Sequence, residues 1–173
     1  MAFDIGSTTI AAHLVDLASG EALASAGRMN PQIRFGEDLM SRVSYVMLNP
    51  EGAEQLTFLA RDAISKLVLG LLDESGRPLE DVTEVVVVGN PVMHHLFLGI
   101  NPTELGQAPF ALATSDSLYV NSWEIDLTLL QNTKVYILPC IAGHVGADAA
   151  AVILSEEPNE SEDNVLIIDD IQF

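Results

Sequence analysis

A chain of 173 residues, 49% of them hydrophobic, is long enough to fold as one ordinary domain with a sizeable core. Its 25 acidic and 7 basic residues leave a net charge of −18, which repels nucleic acid and anionic lipid, because binding either needs clustered Lys and Arg. A single cysteine forms no internal disulfide, every apolar run stops short of the ~20 residues of a membrane span, and with no basic stretch before an apolar one at Met1 no secretion signal is expected. A cytoplasmic protein with no nucleic-acid and no membrane partner is expected.

Met1–Ile5 reads as a short apolar strand that ends at a Gly-Ser-Thr-Thr turn, and Thr9–Leu17 follows as a second β-rich run. Asp16–Gly20 has turn chemistry, and Glu21–Met29 alternates small or apolar residues with polar ones, so three strands form a meander of hairpins. Asn30-Pro31 stops the third strand. Glu37–Leu48 reads as a short helix with Leu39, Val43 and Val46 on one stripe, and Asn49-Pro50 offers a cap and a first-position proline for the next. That next helix is the clearest in the chain. Leu56, Leu59, Ala60, Ala63, Ile64, Leu67, Val68 and Leu71 recur at three-and-four spacing until Gly76-Arg77-Pro78.

Glu84–Val88 is an unbroken β-branched run, as in a strand covered on both faces, and Gly89-Asn90-Pro91 turns it into a helix over Val92–Leu98. Asn101–Asn121 reads as loop. Lys134–Leu138 is another buried strand, Val145–Leu154 an Ala-rich helix, Ser155–Asn164 an acidic linker, and Val165–Ile168 a last strand. A meander followed by β-α alternation predicts an α/β fold with one mixed five-stranded sheet and helices on both faces.

Chemistry concentrates at Asp4-Ile5-Gly6-Ser7-Thr8-Thr9. Read as a site, Gly6 lets the chain approach a ligand, Ser7, Thr8 and Thr9 donate to phosphate oxygens, and Asp4 holds a hydrated Mg²⁺. Read as local structure, the same residues are ordinary turn formers. Asp148 lies in the first turn of the Ala-rich helix, where the macrodipole favours a carboxylate. Asn90 reads as a helix cap, and His94 and His95 point about 100° apart on one helix, a poor chelating pair. His13, mid-strand, reads as a hydrogen-bonded structural residue. Cys140 reads as buried packing, since one cysteine cannot hold an iron–sulfur cluster. Asp38 and Arg42 read either as a partner surface or as an i,i+4 pair.

Four longer strings carry a resemblance: AFDIGSTTIAAHLVDLASGE, RMNPQIRFGEDLMSRVSY, VVVVGNPVMHHLFLGINPTELGQAPF and LPCIAGHVGADAAAVIL. Together they resemble the reductive activators of corrinoid proteins, over nearly all of residues 2–169. The resemblance implies the first lobe, residues 1–155, of an actin-like, ribonuclease H-like ATPase module, with family-type insertions near 30–50 and 100–122. It implies ATP and Mg²⁺ at the Asp4–Thr9 loop, with Asp148, and secondarily His144, as the group that positions water or acts as base. It also implies a partner, a corrinoid protein or its methyltransferase, whose cob(II)amide is reduced to cob(I)amide.

The chain departs from that pattern at both ends. The [2Fe-2S] ferredoxin-like domain of the family is not in this sequence, and residues 156–173 read as an acidic linker and a cut-off strand. After Asp169 the family pattern leads to Asp-x-Gly-Thr-Asn, whereas this sequence reads Asp169-Asp170-Ile171-Gln172-Phe173. Half a phosphate site implies weak or no ATP binding and no activity by this chain alone, and an apolar face open to self-association. A small-molecule kinase of the acetate or sugar kinase type, and a non-catalytic oligomerising half-domain, stand as alternatives.

Overall fold

Side-chain alternation sorts the sheet into two faces. In strand β1 (Ala2–Ile5), Phe3 and Ile5 are buried at 1% exposure while Asp4 between them is exposed. Strand β2 (Thr9–Val15) buries Ile10, Ala12 and Leu14 in the same rhythm, as a pleated strand with one packed face must. The computed structural model describes residues 1–127 and 133–160. Within them β1, β2, β3 (Ala22–Met29) and β4 (Glu84–Gly89) join β5 (Leu118–Asn121) and β6 (Lys134–Ile137) in one sheet of order β3-β2-β1-β4-β6-β5. β1, β4 and β6 run parallel, and the pairs β1–β2, β2–β3 and β5–β6 are antiparallel. This is the α/β arrangement expected from the sequence, with six strands where five were expected.

The extra strand lies in the stretch read as loop. β5 has only four residues, Leu118 and Val120 against the core with Tyr119 exposed between them; its order comes from pairing with β6, Tyr119 opposite Tyr136. The two rings lie 6.1 Å apart between centroids, a cross-strand contact that no single-strand pattern announces.

Helix α1 (Leu39–Leu48) is capped by Asp38, whose carboxylate accepts from the Ser41 N–H at 2.7 Å. Helix α2 (Gly52–Ser75) buries the predicted stripe, with Leu56, Ala60, Ala63, Ile64 and Leu71 all at 0% exposure. Asn49 does not cap α2. It terminates α1, its amide donating to the Tyr45 carbonyl at 2.8 Å, and α2 begins after Glu51 without a side-chain cap. Gly76, at φ 65°, ends α2 in the left-handed conformation that favours glycine.

α2 and helix α3 (Pro91–Leu98) cover the face to which Phe3, Ile5, Val85 and Val87 point. Val86 and Val88 point to the other face, where with Tyr136 they pack on Leu138, Cys140 and Ala147. Ala147 belongs to helix α4 (Ala147–Glu156), which starts two residues later than its sequence suggests and runs into the segment read as linker. Helices thus lie on both faces. Pro158–Glu160 form one 3₁₀ turn, and the expected strand Val165–Ile168, like Asp169, lies outside the described residues.

The face under α2 holds the larger core. Leu71→Ala should lower the free energy of unfolding by about 2–5 kcal/mol, the usual cost of a fully buried leucine. Urea denaturation measures this; a loss below about 1 kcal/mol would show that α2 does not anchor the sheet.

Candidate functional site

Parallel pairing places Asp4 beside Val88 and Ile5 beside Gly89, so the chain leaves β1 and β4 at the same level. β6 ends alongside them, with Val87 beside Ile137. The three departures are the turn after β1, the Asn90 cap of α3, and the 138–146 segment leading to α4. They surround a cavity of about 1020 Å³. Ligands in open α/β sheets collect at this edge, outside the carboxyl ends of the parallel strands.

Asp4, Gly6, Ser7, Thr8, Thr9, His144 and Asp148 all line this cavity. The structure therefore brings together every residue singled out as a site candidate, from positions up to 144 apart in sequence. Asp4, Thr8, Thr9 and His144 are exposed, Gly6 and Asp148 half-buried, and Ser7 buried at 6% exposure. Asp148 Oδ1 accepts from the Ala149 N–H at 2.9 Å, which fits a carboxylate in a helix's first turn. His144 stacks edge-on against Phe110, with ring centroids 4.7 Å apart.

Two glycines make this convergence possible. A Cβ on Gly6 would lie 2.5 Å from the Thr9 carbonyl oxygen, so only glycine lets the turn close this tightly. A Cβ on Gly146 would lie 2.5 Å from Asn90 Cα and 2.5 Å from Asp148 Oδ1. Its absence lets the start of α4 press on the β4–α3 junction.

Behind the turn the structure corrects one expectation. Arg42 neither lies on a surface nor figures in the ion pairs seen among the described residues; it is buried at 0% exposure. Its guanidinium donates to the Gly36 carbonyl at 3.0 Å, to Gln32 Oε1 at 3.1 Å and to the Ser7 carbonyl. Burial lowers its pKa from 12.5 to about 10, so it stays charged at neutral pH. Asn30, also at 0% exposure, donates through Nδ2 to the Gly6 carbonyl at 2.8 Å. Sequence reasoning missed both residues. The signal for Arg42 was its place on the apolar stripe of α1, three residues after Leu39 and four before Val46. The 30–50 and 100–122 segments also meet, contributing Leu39, Met40, Leu105 and Phe110 to the cavity wall.

The other polar candidates are structural. Asn90 Oδ1 caps α3, accepting from the Met93 N–H at 3.0 Å, while the residue also lines the cavity. His95 Nε2 accepts from the Ala113 N–H at 3.0 Å, which leaves Nδ1 protonated to donate to the Pro91 carbonyl at 2.8 Å. His94 Nε2 donates to the Leu138 carbonyl at 3.1 Å, tying α3 to the end of β6. The two rings have separate partners and do not chelate together. His13 Nδ1 bonds Ser25 Oγ at 2.8 Å across the β2–β3 pair. Cys140 is buried at 2% exposure, and burial pushes its thiol up to about 11, which makes it inert.

The chain matches a family model described as the RACo middle region over residues 1–161. The corrinoid activation enzyme RamQ of Eubacterium limosum is 32% identical over 154 residues, which cover 89% of this chain and 26% of that protein. A solved structure, a reductive activator for corrinoid, iron-sulfur protein, aligns at a TM-score of 0.88 and 36% identity. That alignment covers 93% of this chain and 26% of the other. The present chain thus spans about a quarter of the length of either relative.

The buried imidazole gives the stability a pH dependence. Burial, and then the neighbouring His95, lower the His94 pKa from 6.5 to about 4. As pH falls through 6.5 the unfolded chain takes up this proton and the folded chain does not, so His94 destabilises the fold progressively down to about pH 4. His94→Gln, which keeps a donor for the Leu138 carbonyl, should flatten the fall in unfolding free energy between pH 7 and pH 5 by roughly 1–2 kcal/mol. Identical slopes for the two proteins would show that His94 protonates as freely in the folded chain as in the unfolded.

Proposed function

Because the chain belongs to the RACo middle region family, we propose that it is the phosphate-holding lobe of an ATP-dependent reductive activator of corrinoid proteins. The observation that carries this reading is the shared cavity: the Gly6–Thr9 turn, Asp4 and Asp148 open onto one space at the carboxyl ends of parallel strands. The hydroxyls of Thr8 and Thr9 and the turn's backbone amides hold phosphate oxygens, and Asp148, with His144 lining the same cavity, orients the attacking water or accepts its proton.

The donor set fits a magnesium ion that arrives with the nucleotide. Among the described residues no group of three or more His, Cys, Asp or Glu could cage a metal, whereas exposed Asp4 on the cavity wall suits an ion held mainly by water and phosphate oxygens. Mg²⁺ supplies neutralisation of the phosphate charge when bound. The nucleotide's energy would drive the uphill step to cob(I)amide in the partner, a corrinoid protein or its methyltransferase. Differential binding of ATP to two conformations is the physical means of coupling. The [2Fe-2S] donor and the second phosphate loop would belong to regions that the longer relatives carry outside the match. A cytoplasmic setting suits this chemistry.

A second reading rests on α4. Beyond its buried Ala147 and Ala149 it exposes Val152, Ile153 and Leu154, the last at 70%. Exposed apolar surface of this kind favours association of the chain with itself. Light scattering across a concentration series should then show dimers or larger species, and a monomer throughout would remove this reading.

For the phosphate reading, Mg-ATP titrated into the ¹⁵N-labelled chain should shift the amide signals of Gly6–Thr9, with weak, millimolar-range affinity. Asp4→Ala should abolish the magnesium dependence of that binding without unfolding the chain. Unperturbed turn amides at saturating nucleotide would sink the reading.

A further inference from the structure

Three consecutive carbonyls of the turn are taken by two residues, Asn30 and Arg42. Asn30 Nδ2 donates to the Gly6 carbonyl at 2.8 Å, Arg42 Nη2 donates to the Ser7 carbonyl, and the Asn30 backbone N–H donates to the Thr8 carbonyl at 2.8 Å. Both side chains are completely buried and are themselves held. Asn30 Oδ1 accepts from the Gln32 N–H at 3.0 Å, and Arg42 is fixed by Gly36 and Gln32.

A trans peptide is planar, so its N–H points opposite to its C=O. Holding the Gly6 carbonyl from behind turns the Ser7 N–H away from Asn30. Holding the Ser7 carbonyl turns the Thr8 N–H away from Arg42. Gly6, Ser7 and Thr8 line the cavity, whereas Asn30 and Arg42 do not figure in its lining. We propose that Asn30 and Arg42 are positioning residues that aim the Ser7 and Thr8 amides at the phosphate oxyanions of the nucleotide, an assignment that rests on the phosphate-binding reading above.

The chemistry of position 42 supports this over a packing role. α1 already buries Val43 and Val46, and an apolar residue at 42 would complete that stripe without the cost of burying a charge. Arginine there supplies a rigid fork that reaches the Ser7 and Gly36 carbonyls and Gln32 at once, which lysine's single ammonium cannot reproduce. It also sets a positive charge directly behind the turn. In a chain of net charge −18, that offsets the repulsion a polyphosphate would meet.

The test uses the 173-residue chain and Mg-tripolyphosphate, which carries the phosphate chemistry without a nucleoside. In the wild type the Ser7 and Thr8 amide protons should move downfield on titration, as they do when donating to an oxyanion. Arg42→Lys and Asn30→Ser should weaken binding about tenfold and reduce those two shifts, while far-UV circular dichroism stays that of the wild type. Wild-type binding that leaves both amides unmoved, or variants that bind and shift like the wild type, would overturn the positioning role while leaving phosphate binding intact. No binding by the wild type at tens of millimolar would overturn the phosphate reading and this assignment together. Should neither variant fold, the wild-type amide shifts decide alone.

Discussion

The hydrogen bonds that Asn30 and Arg42 give to the turn after β1 set the direction of its backbone, and the cavity is built around that direction. A tight turn between two strands can present either its carbonyls or its amides to a ligand. Here the carbonyls face inward, onto donors that cannot move because they are buried and bonded twice over. The N–H edge is turned the other way, and with the Thr8 and Thr9 hydroxyls it gives a surface suited to anions.

That arrangement has an energetic cost that explains its form. A guanidinium without water is expensive to bury, and the expense is offset only when its donors are satisfied. Arg42 meets the Gly36 and Ser7 carbonyls, Gln32 and the Met93 sulfur, so the 30–42 segment is fastened to the turn after β1 and to α3 at once. The segment is therefore part of the machinery of the turn. Gln32 extends the same network to α2 through the Leu56 carbonyl at 2.8 Å, so the turn rests ultimately on the largest helix of the core.

The remaining walls follow from strand register and close packing. β1 and β4 end level with each other, which brings Asp4 and Asn90 to one rim. Gly146 lets the α4 segment close against that rim, bringing Asp148 to the same cavity. His94, bonded to the Leu138 carbonyl, holds α3 against the end of β6. Each of these contacts joins residues far apart in sequence, and each involves a group that looks unremarkable in its own neighbourhood.

What the sequence determined by itself is whatever depends on near neighbours. The apolar and β-rich runs of β1 and β2, the alternation in β3, the stripe of α2, the glycine stop at Gly76 and the turn chemistry at Gly6 are local properties, and they were legible because neighbouring residues enforce them. The resemblance of four long strings to one family was legible for the same reason: it is written in order along the chain. Tertiary structure alone decided the rest. β5 exists because β6 lies beside it, Asn49 closes α1 because the Tyr45 carbonyl is within its reach, and Asn30 aims the turn because the Gly6 carbonyl lies 2.8 Å away. Arg42 shows the boundary most plainly. Read from sequence it is a surface residue or the partner of Asp38, although it sits between Leu39 and Val46 on the stripe of α1, and only the folded chain shows the carbonyls it was buried to reach.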